Sequence, residues 1–191
     1  ASDGSFTYKL NLAEGKNTIT IVAVDKSPNK NTTKMTFTIY RSCEIIIKLW
    51  LGSKSASVKK CEESPTIKTL DVPAYEKKGR TLLPTRFVTE EMGAKVEWVP
   101  DPGGTGEGKV IITLERINGD SIKVEMHTGV REIIVTKTID GKMTQELIQS
   151  EIAPFIEKGR TMVPIRFIGE AFGAKVDWEP SNQQVTITFI P

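Results

Sequence analysis

Two stretches of the chain decide its fold: "GRTLLPTRFVTEEMGAKVEWVP" at residues 79–100 and "GRTMVPIRFIGEAFGAKVDWEP" at residues 159–180. We call them block 1 and block 2. Of their 22 aligned positions, 13 are identical. A stretch that occurs twice in this way is either a doubled active site or a doubled structural unit, and the surrounding residues have to decide which.

The repetition extends beyond the two blocks. Upstream, "IKLWLG" at 47–52 resembles "IKVEMH" at 122–127, and downstream "KVIITL" at 109–114 resembles "QVTITF" at 184–189. The loop "DPGGTGEG" at 101–108 makes the connection after block 1 five residues longer than the one after block 2. Because insertions are tolerated in surface loops, we expect this loop to lie at the surface.

Each repeat is predicted to have the same order of elements. Alternating β-branched residues predict a hairpin at the start of each repeat. Within each block a short apolar strand leads to Pro84 or Pro164, which suits the first helical turn because that turn has free backbone donors. Gly93 or Gly173 then ends a helix of about two turns. Two strands complete each repeat.

The first 41 residues differ in character. Their alternation predicts three strands, at about 5–12, 17–25 and 33–41. The frame "NTITIVAVD" resembles the final strands of a bacterial immunoglobulin-like domain. Since a full sandwich needs about seven strands, we predict only a partial domain. Three interpretations remain open: a truncated domain, a segment that packs on the repeats, or a strand-exchanged dimer formed through 1–41.

These elements together predict an α+β fold class. It consists of two similar β-rich units, each with one short helix, preceded by an all-β immunoglobulin-like segment. The expected domain boundaries are 1–41 for the partial immunoglobulin-like segment, 42–116 for repeat 1 and 117–191 for repeat 2.

The repeated polar residues indicate structure rather than catalysis. Arg86 and Glu90 are four residues apart on the predicted helix, as are Arg166 and Glu170, so each pair shares one helix face. A catalytic interpretation makes the glutamate a base and the arginine an anion clamp. Neither block adds a nucleophile, a histidine or a phosphate-binding loop, so we interpret both as structural ion pairs and predict no catalytic residue.

Candidate binding residues lie mainly where the two copies disagree. Trp98 and Trp178 are repeated, and we interpret them as core residues, with a carbohydrate platform as the alternative. Trp50 replaces a polar residue on a face that should meet solvent, so it packs on the first segment or contacts a glycan or partner. Asp101 and Glu107 in the 101–108 loop offer calcium-type oxygens, but a plain surface insertion is the favoured interpretation.

Composition excludes several classes of protein. The chain has 26 Lys and Arg against 24 Asp and Glu, and these residues are scattered, so we expect no nucleic-acid partner. No apolar run approaches the roughly 20 residues of a membrane-spanning helix. Cys43 and Cys61 flank the first hairpin and form a candidate disulfide, with two unpaired thiols as the alternative. A disulfide would agree with an extracellular location.

A family resemblance is carried by "APFIEKGRTMVPIRFIGEAFGAKVDWEPSNQQVTI" at 153–187 and by "VPAYEKKGRTLLPTRFVTEEMGAKVEW" at 72–98. Both resemble the copper amine oxidase N-terminal domain-like repeat, a stalk-type domain. The resemblance implies a module of bacterial multidomain proteins that is secreted or displayed on the cell surface. The catalytic copper of such oxidases needs three histidines, and this chain has only His127, so we expect no metal and no cofactor.

The expected function is therefore a non-catalytic extracellular module. We predict attachment or presentation at the bacterial cell surface, through cell-wall polysaccharide or another surface protein. The alternatives are a purely structural stalk or spacer, an accessory domain of a cell-wall hydrolase, and a hydrolase with an unrecognised site.

Overall fold

A computed structural model describes residues 5–104 and 106–191. The first four residues of the predicted segment 1–41 and Thr105 of the 101–108 loop therefore lie outside the described residues. The chain divides into two compact units, Ala1–Ser42 and Cys43–Pro191. None of the helices in the described part is long and apolar enough to cross a membrane.

The first unit contains one two-stranded antiparallel sheet. Strand β1, Gly15–Val24, pairs with β2, Thr32–Arg41. The connection is closed by Asp25, whose carboxylate accepts hydrogen bonds from Ser27 and Asn31. The predicted strand at 5–12 is wrong, since these described residues form no strand. Apolar alternation is a local signal, whereas a strand also needs a partner with which to exchange hydrogen bonds.

The second unit begins with repeat 1. Its elements are strands β3 Ile45–Trp50, β4 Ser55–Lys60, β5 Thr66–Thr69, β6 Tyr75–Lys77 and β7 Arg80–Pro84, helix α1 Thr85–Glu91, and strands β8 Lys95–Pro100 and β9 Gly108–Glu115.

Repeat 2 continues in a similar order. Its elements are strands β10 Ser121–His127, β11 Glu132–Ile139, β12 Lys142–Gln149, β13 Phe155–Glu157 and β14 Arg160–Pro164, helix α2 Ile165–Phe172, and strands β15 Lys175–Glu179 and β16 Gln184–Phe189. The proline precedes each helix, as the sequence predicts. Helix α2 ends at Gly173, which has a left-handed conformation, whereas α1 is capped one residue early, at Met92.

The sheets of the second unit combine strands from both repeats. One sheet has the order β15-β16-β3-β4-β5, so the last strands of repeat 2 extend the opening hairpin of repeat 1. Another has the order β12-β11-β10-β9-β8, which joins the last strands of repeat 1 to the opening strands of repeat 2. A four-stranded sheet, β13-β14-β7-β6, takes one hairpin from each repeat. The two repeated sequences are thus interlaced within a single compact unit.

The predicted α+β fold class is wrong, because the protein is mostly β. In the part of the chain that the structure describes, strands account for 54% of the residues and helices for 8%, in two helices. Each helix is confined to 7 or 8 residues between the proline before it and the cap after it. The alternating segments on either side favour strands, and those strands fill the three sheets. The segment predicted to be immunoglobulin-like contributes only its two-stranded sheet.

The core lies between the helices and the sheets. Helix α2 buries Ile165, Ile168 and Phe172 on one face, as its apolar spacing predicts. Trp98 packs half-buried against this core. The prediction that Trp178 is a core residue is wrong, since it is 46% exposed.

Candidate functional site

Two grooves form where the interlaced blocks meet. Groove 1 lies between Arg86 on α1, Trp98 on β8 and Arg160 in the turn of block 2, and it has a volume of about 500 Å³. Groove 2 lies between Arg166 on α2, Trp178 on β15 and the turn of block 1, and it has a volume of about 680 Å³. Each groove therefore takes its helix and its tryptophan from one block and its turn from the other. Both volumes lie in the range usual for ligand pockets.

The turns that border the grooves have a defined geometry. Lys78 and Gly79 both have positive φ, at +52° and +73°, and Lys158 and Gly159 repeat this with +49° and +74°. Two consecutive residues of positive φ form the tight connection that matches the twist of a hairpin. Glycine suits the second position because it adopts positive φ without a steric penalty, which most L residues do not. The arginine that follows each turn is thus presented at a fixed place beside the opposite helix.

The turn arginines form reciprocal ion pairs between the repeats. Arg160 donates from Nε to Asp71 Oδ2 at 2.7 Å, and Arg80 donates from Nη2 to Glu151 Oε1 at 2.6 Å. The hydrogen bond to Arg80 lowers the pKa of Glu151, and the same bond raises the pKa of Arg80. Both pairs are exposed, so their structural contribution is small. Their guanidinium groups are already occupied by carboxylates.

The helix arginines differ between the grooves. Arg86 Nε lies 4.0 Å from Glu90 Oε1, which is a loose ion pair along α1. Among the described residues, Arg166 forms no side-chain hydrogen bond or ion pair, and Glu170 forms none either. Arg166 lies close enough to Glu151 to contribute to lowering the pKa of that carboxyl group. Groove 2 thus contains a guanidinium and a carboxylate that are both available to a ligand.

The tryptophans also differ in exposure, and the 101–108 loop explains why. Gly108, at the end of this loop, lies so close to Trp98 that an added Cβ would be 2.8 Å from Cζ2 of the ring. Asp101 and Glu107 from the same loop line groove 1. Block 2 is followed by a shorter connection, which leaves Trp178 exposed along groove 2.

His127 holds this loop in place. Its Nε2 lies 3.0 and 2.9 Å from the two carboxylate oxygens of Asp101, and its Nδ1 lies 2.7 Å from the carbonyl oxygen of Thr128. Both partners only accept, so the ring satisfies both by donating from each nitrogen, as the imidazolium does. The hydrogen bond to Asp101, followed by that to Thr128, raises the pKa of His127.

The remaining predicted residues lie elsewhere. Trp50 is half-buried at the end of β3, opposite Gln184, and it lines neither groove. Cys43 and Cys61 are joined by a disulfide, with their Cα atoms 4.9 Å apart. Sequence reasoning missed the contact between His127 and Asp101, which are 26 residues apart. It also missed the approach of each turn to the helix of the other repeat, because no local pattern encodes which strands of the two repeats pair with one another.

The two grooves are lined by aromatic, apolar and charged side chains. The described residues that line them include no Ser, Cys or His. What groove 2 offers is an exposed aromatic face, an apolar floor formed by residues such as Ile165 and Val176, and charged groups at the rim. That combination is typical of a site that binds and orients a ligand.

Comparison with known proteins identifies a family. Residues 7–103 and 139–189 match the sequence profile of the copper amine oxidase N-terminal domain, which is well over half of the chain. The match begins inside the segment that we predicted to be immunoglobulin-like. No curated protein matches the chain, and no solved structure matches it either.

The residues of this chain do not fit a copper ion, despite the name of the family. Copper sites of amine oxidases are rich in imidazole ligands, and the chain has a single histidine. Both ring nitrogens of that residue, His127, are engaged by Asp101 and the Thr128 carbonyl group. No chemical step is therefore assigned to copper in this chain.

Proposed function

The chain belongs to the copper amine oxidase N-terminal domain family, and from this premise we propose that it is an extracellular module that attaches to polysaccharide at the bacterial surface. The N-terminal domain of copper amine oxidases is a non-catalytic accessory domain. A chain of this family that contains a groove of ligand size is suited to binding.

Groove 2 is the observation that carries the proposal. Trp178 exposes nearly half of its surface there, although a large aromatic side chain gains free energy from burial. A flat indole beside a guanidinium and a carboxylate can pack on the apolar face of a sugar ring while the charged groups bond its hydroxyls.

The disulfide between Cys43 and Cys61 supports the extracellular location. Structural disulfides persist mainly in oxidising compartments, because cytosolic thiols are kept reduced. The bond joins the chain just before β3 to the chain just after β4, at the base of one hairpin. At this position the disulfide can stabilise the β3–β4 hairpin, and it would persist in an oxidising, extracellular environment.

Sedimentation with cell-wall material tests the proposal. The full chain is mixed with purified insoluble bacterial wall polysaccharide, centrifuged, and measured in the pellet and in the supernatant. We expect the wild-type chain in the pellet and a substantial loss of binding for Trp178→Ala. If all of the wild-type protein stays in the supernatant over a range of wall concentrations, attachment is excluded and the spacer function replaces it.

A further inference from the structure

We propose that groove 2 recognises an uncharged sugar unit of the polysaccharide, so that binding depends on shape and hydrogen bonds and not on acidic groups of the polymer. This inference deepens the proposed function and rests on it. It concerns the residues Trp178, Arg166, Glu170 and Glu76, which line one groove.

The charge balance of groove 2 is the first argument. Arg80 is occupied by Glu151, and Lys175 Nζ lies 2.8 Å from Asp177 Oδ2, so both cations are neutralised by carboxylates of the protein. The charges that remain for a ligand are the guanidinium of Arg166, which forms no hydrogen bond among the described residues but lies near Glu151, and the carboxylates of Glu170 and Glu76. An acidic sugar would bring a third anion beside these two carboxylates, which like-charge repulsion disfavours.

The kinds of hydrogen-bonding group provide the second argument. Arg166 can only donate and an ionised Glu170 can only accept. A sugar hydroxyl does both, so neighbouring hydroxyls of one ring can satisfy the two side chains together. A ligand with only acceptors, such as a phosphate or a carboxylate, would leave Glu170 and Glu76 without donors. Unpaired polar groups that lose water cost free energy, so such a ligand binds less well.

The contrast with groove 1 locates the site. There Gly108 of the 101–108 loop packs closely against Trp98, and Glu90 lies within ion-pair distance of Arg86. In the described part of groove 2 neither feature recurs, although its helix and tryptophan occupy equivalent positions. Its tryptophan and its two helix side chains are therefore the ones available to a sugar.

The decisive experiment changes the charge of the polysaccharide. Wall polysaccharide is compared before and after its carboxylates are amidated and its phosphodiesters are removed, with the full chain in the same sedimentation assay. We expect the affinity for the neutralised material to stay within about twofold of that for the untreated material. We also expect the affinity to change little when NaCl rises from about 0.05 M to about 0.5 M, because salt weakens only attraction between exposed charges, on which this binding does not depend.

Matched variants place the binding in groove 2. Trp178→Ala and the double change Arg166→Ala with Glu170→Ala should each lower the affinity about tenfold, a factor that corresponds to the loss of one good contact. The control is Arg86→Ala with Glu90→Ala, the equivalent change on α1, which should leave the affinity unchanged. Circular dichroism and denaturation midpoints establish that each variant is folded.

Each outcome has a distinct meaning. Retained binding to neutralised polysaccharide, with loss in the groove 2 variants alone, supports the inference. Loss of binding on neutralisation overturns the uncharged ligand while attachment to the wall still stands. Equal loss in the α1 control overturns the assignment to groove 2. Absence of binding to untreated material overturns both the inference and the proposed function.

Discussion

The hydroxyl of Tyr75 donates a hydrogen bond of 2.5 Å to Oε2 of Glu157. These residues belong to β6 and β13, the two edge strands of the four-stranded sheet, which are separated by two strands in the hydrogen-bonding order. Lys77 Nζ likewise lies 4.2 Å from the centroid of the Phe155 ring, again between the two edges. The four-stranded sheet is therefore curved enough that side chains of its two edge strands are in contact.

Removal of this hydroxyl tests the contact between the edges. Tyr75→Phe should lower the free energy of unfolding by about 1 kcal/mol, because Glu157 loses its donor. Urea denaturation measures the change, and Glu76→Gln, on an exposed position of the same strand, is the control. A variant as stable as the wild type would show that the contact contributes nothing.

The same contact has a pH dependence. Burial, followed by the hydrogen bond to Glu157, raises the pKa of Tyr75 to about 12. The folded state thus favours the neutral phenol, so the stability contribution is complete below the ordinary pKa of about 10 and is lost as pH rises toward 12. Absorbance of tyrosinate should show a component near pH 12 that Tyr75→Phe removes. Persistence of that component in the variant would contradict the assignment.

The disulfide should make a large contribution to stability. Cys43 and Cys61 are 18 residues apart, and closing a loop of about this length in the unfolded chain is worth about 3 kcal/mol. The double change Cys43→Ser with Cys61→Ser should therefore shift the denaturation midpoint down by a corresponding amount. Wild-type protein in dithiothreitol should approach the midpoint of the variant, and the variant itself should not respond to reductant. A midpoint that reductant leaves in place would count against this prediction.

Gly169 should be intolerant of any side chain. A Cβ at this position on α2 would lie 2.6 Å from Cγ2 of Val176 and 3.2 Å from the carbonyl oxygen of Ala174. Gly169→Ala should thus cost about 1–3 kcal/mol of unfolding free energy, the usual penalty for overpacking. Thr89, the equivalent residue of block 1, is buried and donates to the Thr85 carbonyl oxygen at 3.0 Å, so α1 has space for a side chain.

The control for this prediction lies on the same helix. Glu170 is exposed, so Glu170→Ala should change the free energy of unfolding by less than about 0.5 kcal/mol. Chemical denaturation of the two variants separates the effect of packing from any general effect on α2. Equal stability of Gly169→Ala and the wild type would mean that α2 can move away from β15 without cost.

His127 should titrate at a higher pH than an ordinary histidine. The Asp101 carboxylate and, with a smaller effect, Glu107 favour its charged form, while Lys109, which is opposite it in the strand register, is paired with Glu125. Because the folded-state pKa is raised, the contribution to stability is complete below the ordinary value of about 6.5 and is lost as pH rises through the raised value.

Nuclear magnetic resonance can measure this titration without ambiguity, since the chain has one histidine. Asp101→Asn should lower the pKa of His127 toward the ordinary value, because the variant removes the charge and keeps a hydrogen-bonding side chain. The same variant should loosen the 101–108 loop over groove 1, which the fluorescence of Trp98 would report. An unchanged pKa in Asp101→Asn would show that the contact does not form in solution.

Local structure was predictable wherever neighbouring residues determine it. Pro84 and Pro164 begin the helices because proline suits a turn with free donors, and Ile165, Ile168 and Phe172 face the core because they recur at helical spacing. The overall class was not predictable in this way. The two predicted helices led to the prediction of an α+β class. The helices are short, however, and the chain is mostly β.

Most features of the two grooves could not be predicted from the sequence. Trp178 occurs at the same position of its block as Trp98, but Trp98 is half-buried with Gly108 packed closely against it, whereas Trp178 is 46% exposed. The predicted ion pair between Arg166 and Glu170 is absent among the described residues, although the spacing is identical to that of Arg86 and Glu90. Identical spacing permits a side-chain contact, and the surroundings of each helix decide whether it forms.

The sequence by itself determined where each helix of the blocks begins and, to within one residue, where it ends, because those signals act over a few residues. Tertiary structure alone decided that the repeats exchange strands, that Arg160 meets Asp71 and Arg80 meets Glu151, and that groove 2 stays open. The physical reason is that two similar repeats offer similar strand edges to one another. Which strand edges pair depends on the packing of the whole unit, in which contacts join residues 71 or more positions apart in the sequence.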